Sequence, residues 1–496
     1  MRENEVQMAT TYEGGIVLPQ HTGLFYDGQW HEPCAGEKVS VTNPASGTIL
    51  GRVSVASSQD VDKAVEAARR GFEEWRRVLP LERARILRSI GQVIREHAAE
   101  LAMLDAADCG NPVSEMQGDA HIAAAWFDFF AGLVTEMKGA SVPMGPDAVN
   151  FSVREPIGVV ARIMAFNHPF LFTGGKLAAP LAAGNAVIVK PPEQAPLSGL
   201  RLAELIGDML PRGVLGVITG GREAGSTLST HKGVNVITLI GSVPTGRAVM
   251  RDAAATLKHV ALELGGKNAL IAFPDANLDE VAAAAVNGMN YTWCGQSCGS
   301  MSRVFLHDSI HDAVIERMRA LIVKYRPGIP TDPATTMGAI ISRVQYDKIL
   351  SFIASARAEG AKLVCGGGPP DDARLRNGNF IEPTVFCDVT QNMRIASEEI
   401  FGPVQSILRW RDEKKMLADV NSLDYGLTCA IFTDNLQHAH RTAAAVEAGY
   451  VWVNTVGTHF LGAPFGGQKQ SGVGREECLE ELIAFTQEKN IHIRLR

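Results

Sequence analysis

The chain has 496 residues and a formal net charge of −7, with 46% hydrophobic and 20% charged residues. A chain of this length exceeds the usual size of one domain, so we expect two or more domains. The composition is that of a soluble globular protein, and the absence of a run of Lys or Arg predicts no nucleic-acid partner.

The N-terminal stretch and the cysteines predict a reduced, cytoplasmic protein. Residues 1–15 lack the apolar core of a signal peptide, and no apolar run is long enough to span a membrane. The eight cysteines are scattered, with no regular spacing and no CxxC pair. We therefore expect most thiols to be small buried side chains, without disulfide partners.

Two amphipathic helices are predicted in the first part of the chain. Apolar residues recur at helical spacing over 57–77, and Ser57 or Ser58 is a suitable N-cap. The same periodicity predicts one further helix over about 81–108.

From about residue 156, short Val- and Ile-rich runs alternate with helical stretches. The pattern includes NAVIVK, VLGVIT, VNVITLI and HVALEL, and it returns later in NALIAF, SRVFL, AKLVC, CAIFT and YVWVN. Such alternation is typical of a buried parallel sheet covered by helices. Because the pattern returns, we expect a second α/β domain.

Two other segments, 149–155 and 491–495, alternate apolar and polar residues. This pattern is typical of antiparallel strands. A terminal strand needs a partner, and two arrangements are equally favoured here, namely pairing across a subunit boundary and pairing at an edge within the chain.

Polar residues and glycines follow five successive apolar runs. They are Asn167, then Lys190 with Glu193, then Gly220 and Gly221, then Gly241 and Ser242, then Glu263 with Gly265 and Gly266. Ligands of an open parallel sheet bind beyond the carboxyl ends of its strands, so one shared rim predicts a binding site. Each residue alone is typical of a turn or a solvated surface, and the GxGxxG fingerprint is absent.

The stretch NYTWCGQSCGS, residues 290–300, contains Cys294 and Cys298. Three interpretations are open: a metal or disulfide pair, an ordinary piece of core, and a nucleophile on a prepared backbone. No His or second cysteine pair stands nearby in sequence, which disfavours a metal site.

Four motifs carry a family resemblance: LELGGKN at 262–268, GQSC at 295–298, EEIFGPV at 398–404 and PFGGQKQSGVGRE at 464–476. In this order and spacing they resemble the NAD(P)-dependent aldehyde dehydrogenases of the non-phosphorylating, hydrolytic type, and the resemblance extends from residue 43 to the C-terminus. It implies an α/β fold with two Rossmann-like parallel-sheet domains and a small β oligomerisation element. The implied division is an NAD-binding domain at 1–140 and 157–264, a catalytic domain at 265–475, and oligomerisation strands at 141–156 and 476–496.

The resemblance also implies roles for single residues. Cys298 takes the place of the nucleophile, Glu263 that of the general base and Asn167 that of the side-chain half of an oxyanion hole. Cofactor contacts are expected at Ile163, Lys190, Glu193, Ser242, Glu399 and Phe401. Glu476 falls at a distal acid position with a structural or proton-relaying role, and Cys294 is expected to be a buried thiol.

The implied reaction oxidises an aldehyde to its acid through a thiohemiacetal and a thioester on Cys298, which water hydrolyses with Glu263 as base. We expect NAD over NADP, because the Glu193 carboxylate accepts ribose hydroxyl protons and repels a 2′-phosphate. The alternative enzyme is a coenzyme A-acylating semialdehyde dehydrogenase. A catalytically inactive binding protein is disfavoured by the intact catalytic set, and a cysteine hydrolase by the lack of a positioned His motif.

The sequence constrains the identity of the substrate less than it constrains the type of reaction. Where the family often shows Trp-Asn-Phe-Pro, this chain has His168 in the Phe position. Pocket candidates are His168, Phe170, Trp293, His459 and Phe465. A bulky, uncharged or aromatic aldehyde is favoured by the absence of an arginine next to Cys298 and by the aromatic residues around the motifs, which are Phe166, Phe170, Phe172, Tyr291, Trp293 and Phe460. Family likeness further implies a homodimer or homotetramer, whereas the residues themselves predict no metal site and no membrane partner.

Overall fold

The computed structural model describes residues 11–12 and 15–495. Its larger sheet has eight strands. In spatial order they are Gly472–Val473, His259–Leu264, Val236–Gly241, Val159–Ile163, Ala186–Lys190, Leu215–Val217, Leu24–Tyr26 and Gln29–His31. The five strands from His259–Leu264 to Leu215–Val217 are mutually parallel, whereas the outer strands pair antiparallel.

The second sheet has seven strands. In spatial order they are Lys362–Cys365, Thr384–Cys387, Val404–Trp410, Arg303–His307, Ala269–Ala272, Thr428–Phe432 and Tyr450–Val453. All neighbours are parallel except the first pair, where an edge strand runs antiparallel. The prediction of two Rossmann-like α/β sheets is therefore confirmed.

Helices cover both sheets and make their central strands almost fully buried, which explains the continuous apolar runs in the sequence. In the first half, the α-helices are Ser58–Trp75, Pro80–Glu96, Ala98–Cys109, Val113–Gly132, Ala178–Ala183, Leu197–Ile206, Arg222–Thr230 and Val243–Ala254. In the second half, they are Leu278–Gly288, His311–Ile322, Arg343–Ala358, Arg394–Ser397, Glu413–Asn421, Leu436–Ala445 and Leu479–Ala484. A π-helical turn at Leu171–Gly175 and 3₁₀ turns at Gly207–Met209, Tyr291–Trp293 and Ala373–Leu375 complete the set.

The single helix predicted over 81–108 is wrong. The structure has two helices, which end at Glu96 and begin at Ala98, because His97 leaves helical geometry at φ −104° and ψ 9°. Its ring nitrogen Nδ1 lies 3.0 Å from Glu100 Oε2 in the first turn of the next helix. Both halves have an apolar face against Val113–Gly132, so the periodicity continues through the break and hides it.

A three-stranded antiparallel sheet contains the two alternating segments. Thr486–Arg494 pairs along its length with Ala148–Pro156, and Ser141–Val142 pairs on the other side of that strand. The two segments whose partners the sequence left open therefore pair with each other inside one chain. Three short antiparallel strand pairs remain: Thr11–Tyr12 with Ile16–Val17, Lys38–Thr42 with Ile49–Ser54, and Tyr425–Gly426 with Gln468–Lys469.

The predicted domain boundaries stay a prediction. Their terminal parts include residues 1–10, 13, 14 and 496, which lie outside the described residues. Gly472–Val473 falls in the predicted catalytic segment and yet pairs with His259–Leu264 of the eight-stranded sheet. Within 11–12 and 15–495, no helix has both the length and the apolarity needed to cross a bilayer.

The first long helix depends on a capping box at Ser57. The Ser57 hydroxyl accepts from the Asp60 amide, and the Asp60 carboxylate accepts from the Ser57 amide at 2.9 Å. We expect Ser57→Ala to lower the free energy of unfolding by about 1 kcal/mol, measured by urea titration. Ser58→Ala is the matched control, because Ser58 is the first helical residue and its side chain has no capping role. Equal losses in both variants would contradict the assignment.

Candidate active site

The carboxyl ends of the parallel strands in the eight-stranded sheet border a cleft of about 840 Å³. The residues predicted for catalysis and for cofactor contact all line it. They are Asn167, Glu263, Cys298, Ile163, Lys190, Glu193, Ser242, Glu399 and Phe401. The strand ends singled out from the sequence thus border one cleft. Its other side is formed by residues that follow the crossing to the seven-stranded sheet, among them Cys298, Glu399 and Phe401.

The cysteine loop, residues 290–300, has a strained backbone around the nucleophile candidate. Asn290 and Cys294 have φ of 56°, and Gly295 has φ of 65°, all in the left-handed region. A Cβ on Gly295 would lie 2.3 Å from the Gly402 carbonyl oxygen, so only glycine fits there. Cys294 is fully buried, and burial raises the pKa of its thiol to about 12.

Asn268, the last residue of LELGGKN, fixes the end of the cysteine loop. Its side-chain amide donates to the Cys298 carbonyl at 2.6 Å and to the Ser300 carbonyl at 3.0 Å. Its side-chain oxygen accepts from the Thr428 amide at 3.1 Å. Sequence reasoning did not single out this residue, although it ends the most specific motif. It sets the position of the Cys298 backbone.

Glu263 and Cys298 face each other across the cleft. Burial raises the pKa of Glu263 to about 8, and a hydrogen bond with the Cys298 thiol offsets part of that rise. Burial, and then the Glu263 charge, raise the pKa of the Cys298 thiol well above its ordinary value. Glu263 Oε1 is buried and has no hydrogen-bond partner among the described residues. At neutral pH this geometry favours a protonated pair, and a proton must move before Cys298 becomes a thiolate.

The part of the cleft where cofactor contacts were predicted contains one buried cationic side chain, Lys190. Burial lowers the pKa of Lys190 to about 8, against the opposing effect of Glu193, and its Nζ donates to the Pro191 carbonyl at 3.3 Å. Glu193 is exposed at the rim beside Gly221. Ser242 caps the helix Val243–Ala254 by accepting from the Thr245 amide at 3.4 Å.

Two residues of the EEIFGPV motif, which leads into the strand Val404–Trp410 of the seven-stranded sheet, line the cleft: Glu399 and Phe401. Glu399 Oε1 accepts from the Gly266 amide at 3.0 Å, and a Cβ on Gly265 would lie 2.1 Å from Glu399 Oε2. The two glycines of LELGGKN therefore allow a carboxylate to approach the backbone closely. Burial raises the pKa of Glu399, although the hydrogen bond from Gly266 opposes the rise. Phe401 has φ of 56°.

The five pocket candidates are not brought into one group, and none borders the 840 Å³ cleft. His168 lies beside Trp293, with ring centroids 5.4 Å apart. His459 packs on Phe465 at 4.6 Å. Phe170 does not form a pocket wall, because it is 1% exposed and its ring is buried in the core against Gly174. Its backbone amide donates to Asp105 Oδ2 at 2.8 Å.

Glu476 is held by two cations. Lys176 Nζ lies 2.8 Å from its Oε2 and Arg162 Nη2 lies 3.3 Å from its Oε1. Burial alone would raise the pKa of Glu476, but these two cations outweigh it and lower the pKa. Sequence reasoning missed both cations. The one available signal was Arg162, a charged residue inside the buried-strand pattern PIGVVARIMAF.

In the described part of the chain, no group of three or more His, Cys, Asp or Glu side chains could hold a metal ion. The eight cysteines are free thiols. Cys294 and Cys298 therefore form no disulfide in this structure.

Comparison with known proteins decides the family. The model of the aldehyde dehydrogenase family matches residues 30–491. The chain belongs to the aldehyde dehydrogenase family. It is 51% identical over 487 residues to aldehyde dehydrogenase tropH of Talaromyces stipitatus, covering 97% of this chain and 94% of that protein. Its activity class is therefore the oxidation of aldehydes, and it is an oxidoreductase.

Solved structures agree with this family fold. PnpE from Pseudomonas sp. WBC-3 superposes with a TM-score of 0.93 at 37% identity, over 96% of this chain and 98% of that one. Betaine aldehyde dehydrogenase from Staphylococcus aureus, solved with NAD⁺, superposes with a TM-score of 0.93 at 35% identity, over 96% and 95% of the two chains. These neighbours support the use of an NAD(P)-type cofactor.

The left-handed backbone at Gly295 predicts the effect of a substitution in the cysteine loop. Gly295→Ala should destabilise the protein by about 3 kcal/mol or more, because the new Cβ clashes with the Gly402 carbonyl at a left-handed position. Gly299→Ala is the matched control, since the nearest atom to its Cβ is 3.9 Å away. Urea unfolding of both variants gives the comparison. A Gly295→Ala protein as stable as Gly299→Ala would show that the loop is not constrained as described.

Proposed function

We propose that this chain oxidises an aldehyde to the carboxylic acid with NAD, through a thioester on Cys298 that water hydrolyses with Glu263 as general base. The observation that carries the proposal is that Cys298 and Glu263 line the same cleft, where each influences the pKa of the other. A nucleophile and its base within reach of each other are the minimum that this chemistry requires.

In the first step, Cys298 Sγ attacks the aldehyde carbon and the thiol proton passes to water in the cleft. The resulting oxyanion is stabilised by the Asn167 side-chain amide and the Cys298 backbone N–H, at roughly 3 kcal/mol per donor. Asn111 supports this arrangement, because its side-chain amide donates to the Asn167 carbonyl at 2.8 Å. Asn268 does the same for the backbone of Cys298.

The cofactor half of the cleft fits NAD. Ser242 caps a twelve-residue helix whose first N–H groups suit a pyrophosphate, and Lys190 and Glu193 offer partners for the hydroxyls of one ribose. Glu399 and Phe401 line the same cleft, and we assign them to the ribose next to the nicotinamide. Bound NAD would supply the acceptor for the hydride that leaves the thiohemiacetal carbon. Residues 163–167 also line this cleft.

Hydrolysis of the thioester requires a base and a route for its proton. Glu263, with a pKa raised to about 8 by burial, takes a proton from water when it is ionised, and its Oε1 is available for that contact. The charges of Glu476 and Lys176 influence the pKa of Glu263: Glu476 raises it and Lys176 lowers it. We assign this buried pair the role of passing the proton onward from Glu263.

Glu263→Gln should form NADH in a first turnover and then stall at the thioester. We expect the steady-state rate to fall by about 10²- to 10⁴-fold while a burst of up to one equivalent of NADH remains. Stopped-flow absorbance of NADH measures both. Glu280→Gln, an exposed acid on a surface helix, is the control and should behave as wild type. If the burst also disappears, Glu263 is needed to form the thioester as well, and the proposal that it serves only the hydrolysis step is wrong.

Cofactor choice depends on the exposed Glu193 carboxylate. We expect kcat/KM to be at least about tenfold higher with NAD than with NADP, which is about 1.4 kcal/mol. Glu193→Gln should reduce this ratio, because it removes the charge that repels the 2′-phosphate but keeps a hydrogen-bond acceptor. Initial rates with both cofactors measure the ratio. Equal kcat/KM values in the wild-type protein would refute the preference.

The acyl acceptor is proposed to be water, because Glu263 stands beside Cys298. The alternative of a coenzyme A-acylating semialdehyde dehydrogenase finds no support among the relatives named above. NADH production with and without coenzyme A separates the two. We propose a bulky, uncharged or aromatic aldehyde as substrate, and cytoplasm as the compartment.

We propose a homodimer or homotetramer in which the sheet of Thr486–Arg494 and Ala148–Pro156 contributes to the subunit interface. Deleting residues 491–496 should then lower the oligomer mass in light scattering. Circular dichroism and the unfolding midpoint separate loss of assembly from loss of fold. A folded deletion variant with unchanged mass would remove this role from the C-terminal strand.

A further inference from the structure

His168 stands directly after the proposed oxyanion donor Asn167, where an apolar side chain would be expected from the family pattern. Its Nδ1 lies 2.8 Å from Asp119 Oδ2. The Asp119 side chain is 4% exposed and that of His168 is 16% exposed. A carboxylate only accepts hydrogen bonds, so the proton of this contact belongs to Nδ1 and the ring has a fixed orientation.

With Nδ1 committed to Asp119, the other ring nitrogen of His168 is free. Nε2 has no hydrogen-bond partner among the described residues. The other acidic groups that act on this imidazole are Asp105 and Glu115.

Flat aromatic walls flank the imidazole. The Trp293 ring is 5.4 Å away and the Phe172 ring is 5.2 Å away in an edge-on arrangement. Trp293 belongs to the cysteine loop, five residues before Cys298. Its indole N–H is buried and has no partner within the described chain. A buried donor without a partner is costly, and a bound oxygen atom relieves that cost.

We propose that His168, oriented by Asp119, binds an acidic oxygen on an aromatic or conjugated aldehyde, either a carboxylate or an acidic hydroxyl. This inference rests on the proposed function and narrows its substrate class. It keeps the aromatic body expected from the sequence but adds a charged substituent to it.

One contact serves both kinds of oxygen. A carboxylate accepts from the imidazolium Nε2–H, whereas an acidic hydroxyl donates its proton to neutral Nε2, and both leave one proton between nitrogen and oxygen. A hydroxyl conjugated with an aldehyde is acidified, because the carbonyl delocalises the negative charge. An imidazole matches such weak acids more closely than a permanently charged guanidinium does.

The test compares benzaldehyde with carboxybenzaldehydes and hydroxybenzaldehydes substituted at the 3 and 4 positions, with NAD as cofactor. For wild type we expect kcat/KM to be at least about tenfold higher for the best acidic aldehyde than for benzaldehyde. His168→Phe should remove this preference mainly through KM, by about 10- to 100-fold, with little change for benzaldehyde. The carboxy and hydroxy series distinguish the two kinds of oxygen.

Matched variants separate recognition from folding. His168→Gln keeps a polar side chain and should retain part of the preference, and Asp119→Asn should reduce it by releasing the imidazole. His121→Gln, an exposed histidine on the same helix as Asp119, is the control and should leave the preference unchanged. An equal preference in wild type and His168→Phe would overturn the proposal, as would a wild type that prefers benzaldehyde to every acidic aldehyde.

Equilibrium binding to Cys298→Ser, measured by calorimetry in the presence of NAD, needs no turnover. We expect the preferred acidic aldehyde to bind at least about tenfold more weakly when His168→Phe is added. If wild type makes no NADH from any aldehyde, the proposed function fails, and this binding result alone decides the role of His168. Unchanged binding would overturn that role.

Discussion

The site depends on one side chain, the amide of Asn268. It joins its own segment to two distant ones: the cysteine loop, where it donates to the carbonyls of Cys298 and Ser300, and the strand Thr428–Phe432, where it accepts from the amide of Thr428. Asn268 also lies between the strand that ends with Leu264 and the strand that begins at Ala269, which belong to different sheets. The base candidate and the nucleophile candidate are therefore positioned by the same short crossing between the sheets.

Burial determines the chemistry that this geometry supports. It raises the pKa of Glu263 to about 8, lowers that of Lys190 to about 8, and raises that of the Cys298 thiol. All three shifts favour the neutral forms of these side chains. The Cys298 thiol must therefore lose a proton before it can act as a nucleophile.

The sequence predicted the features that repeat or that end an element. Short apolar runs that alternate with helical stretches predicted the two sheets, and polar residues after the strands predicted the cleft, because parallel strands end at one edge. The break at His97 was missed because both flanking helices have their apolar faces on the same neighbour. Sequence position also does not show that Phe170, a pocket candidate, is buried in the core.

Long-range polar pairs were beyond sequence reasoning for a different reason. Arg162 and Glu476 are 314 residues apart, and no local pattern connects them. The same holds for the His168–Asp119 pair, whose members are 49 residues apart. The motif showed that His168 replaces an apolar residue, but only the fold shows which carboxylate orients it.

The most direct test of the central claim is mass spectrometry of acid-quenched Glu263→Gln protein after incubation with NAD and an oxidisable aldehyde. The account predicts that the acyl group of the substrate is attached to the peptide containing Cys298, with fragmentation locating it on that sulfur. Acylation on Cys294 or another residue, or NADH formation with no acylated peptide, would contradict the account.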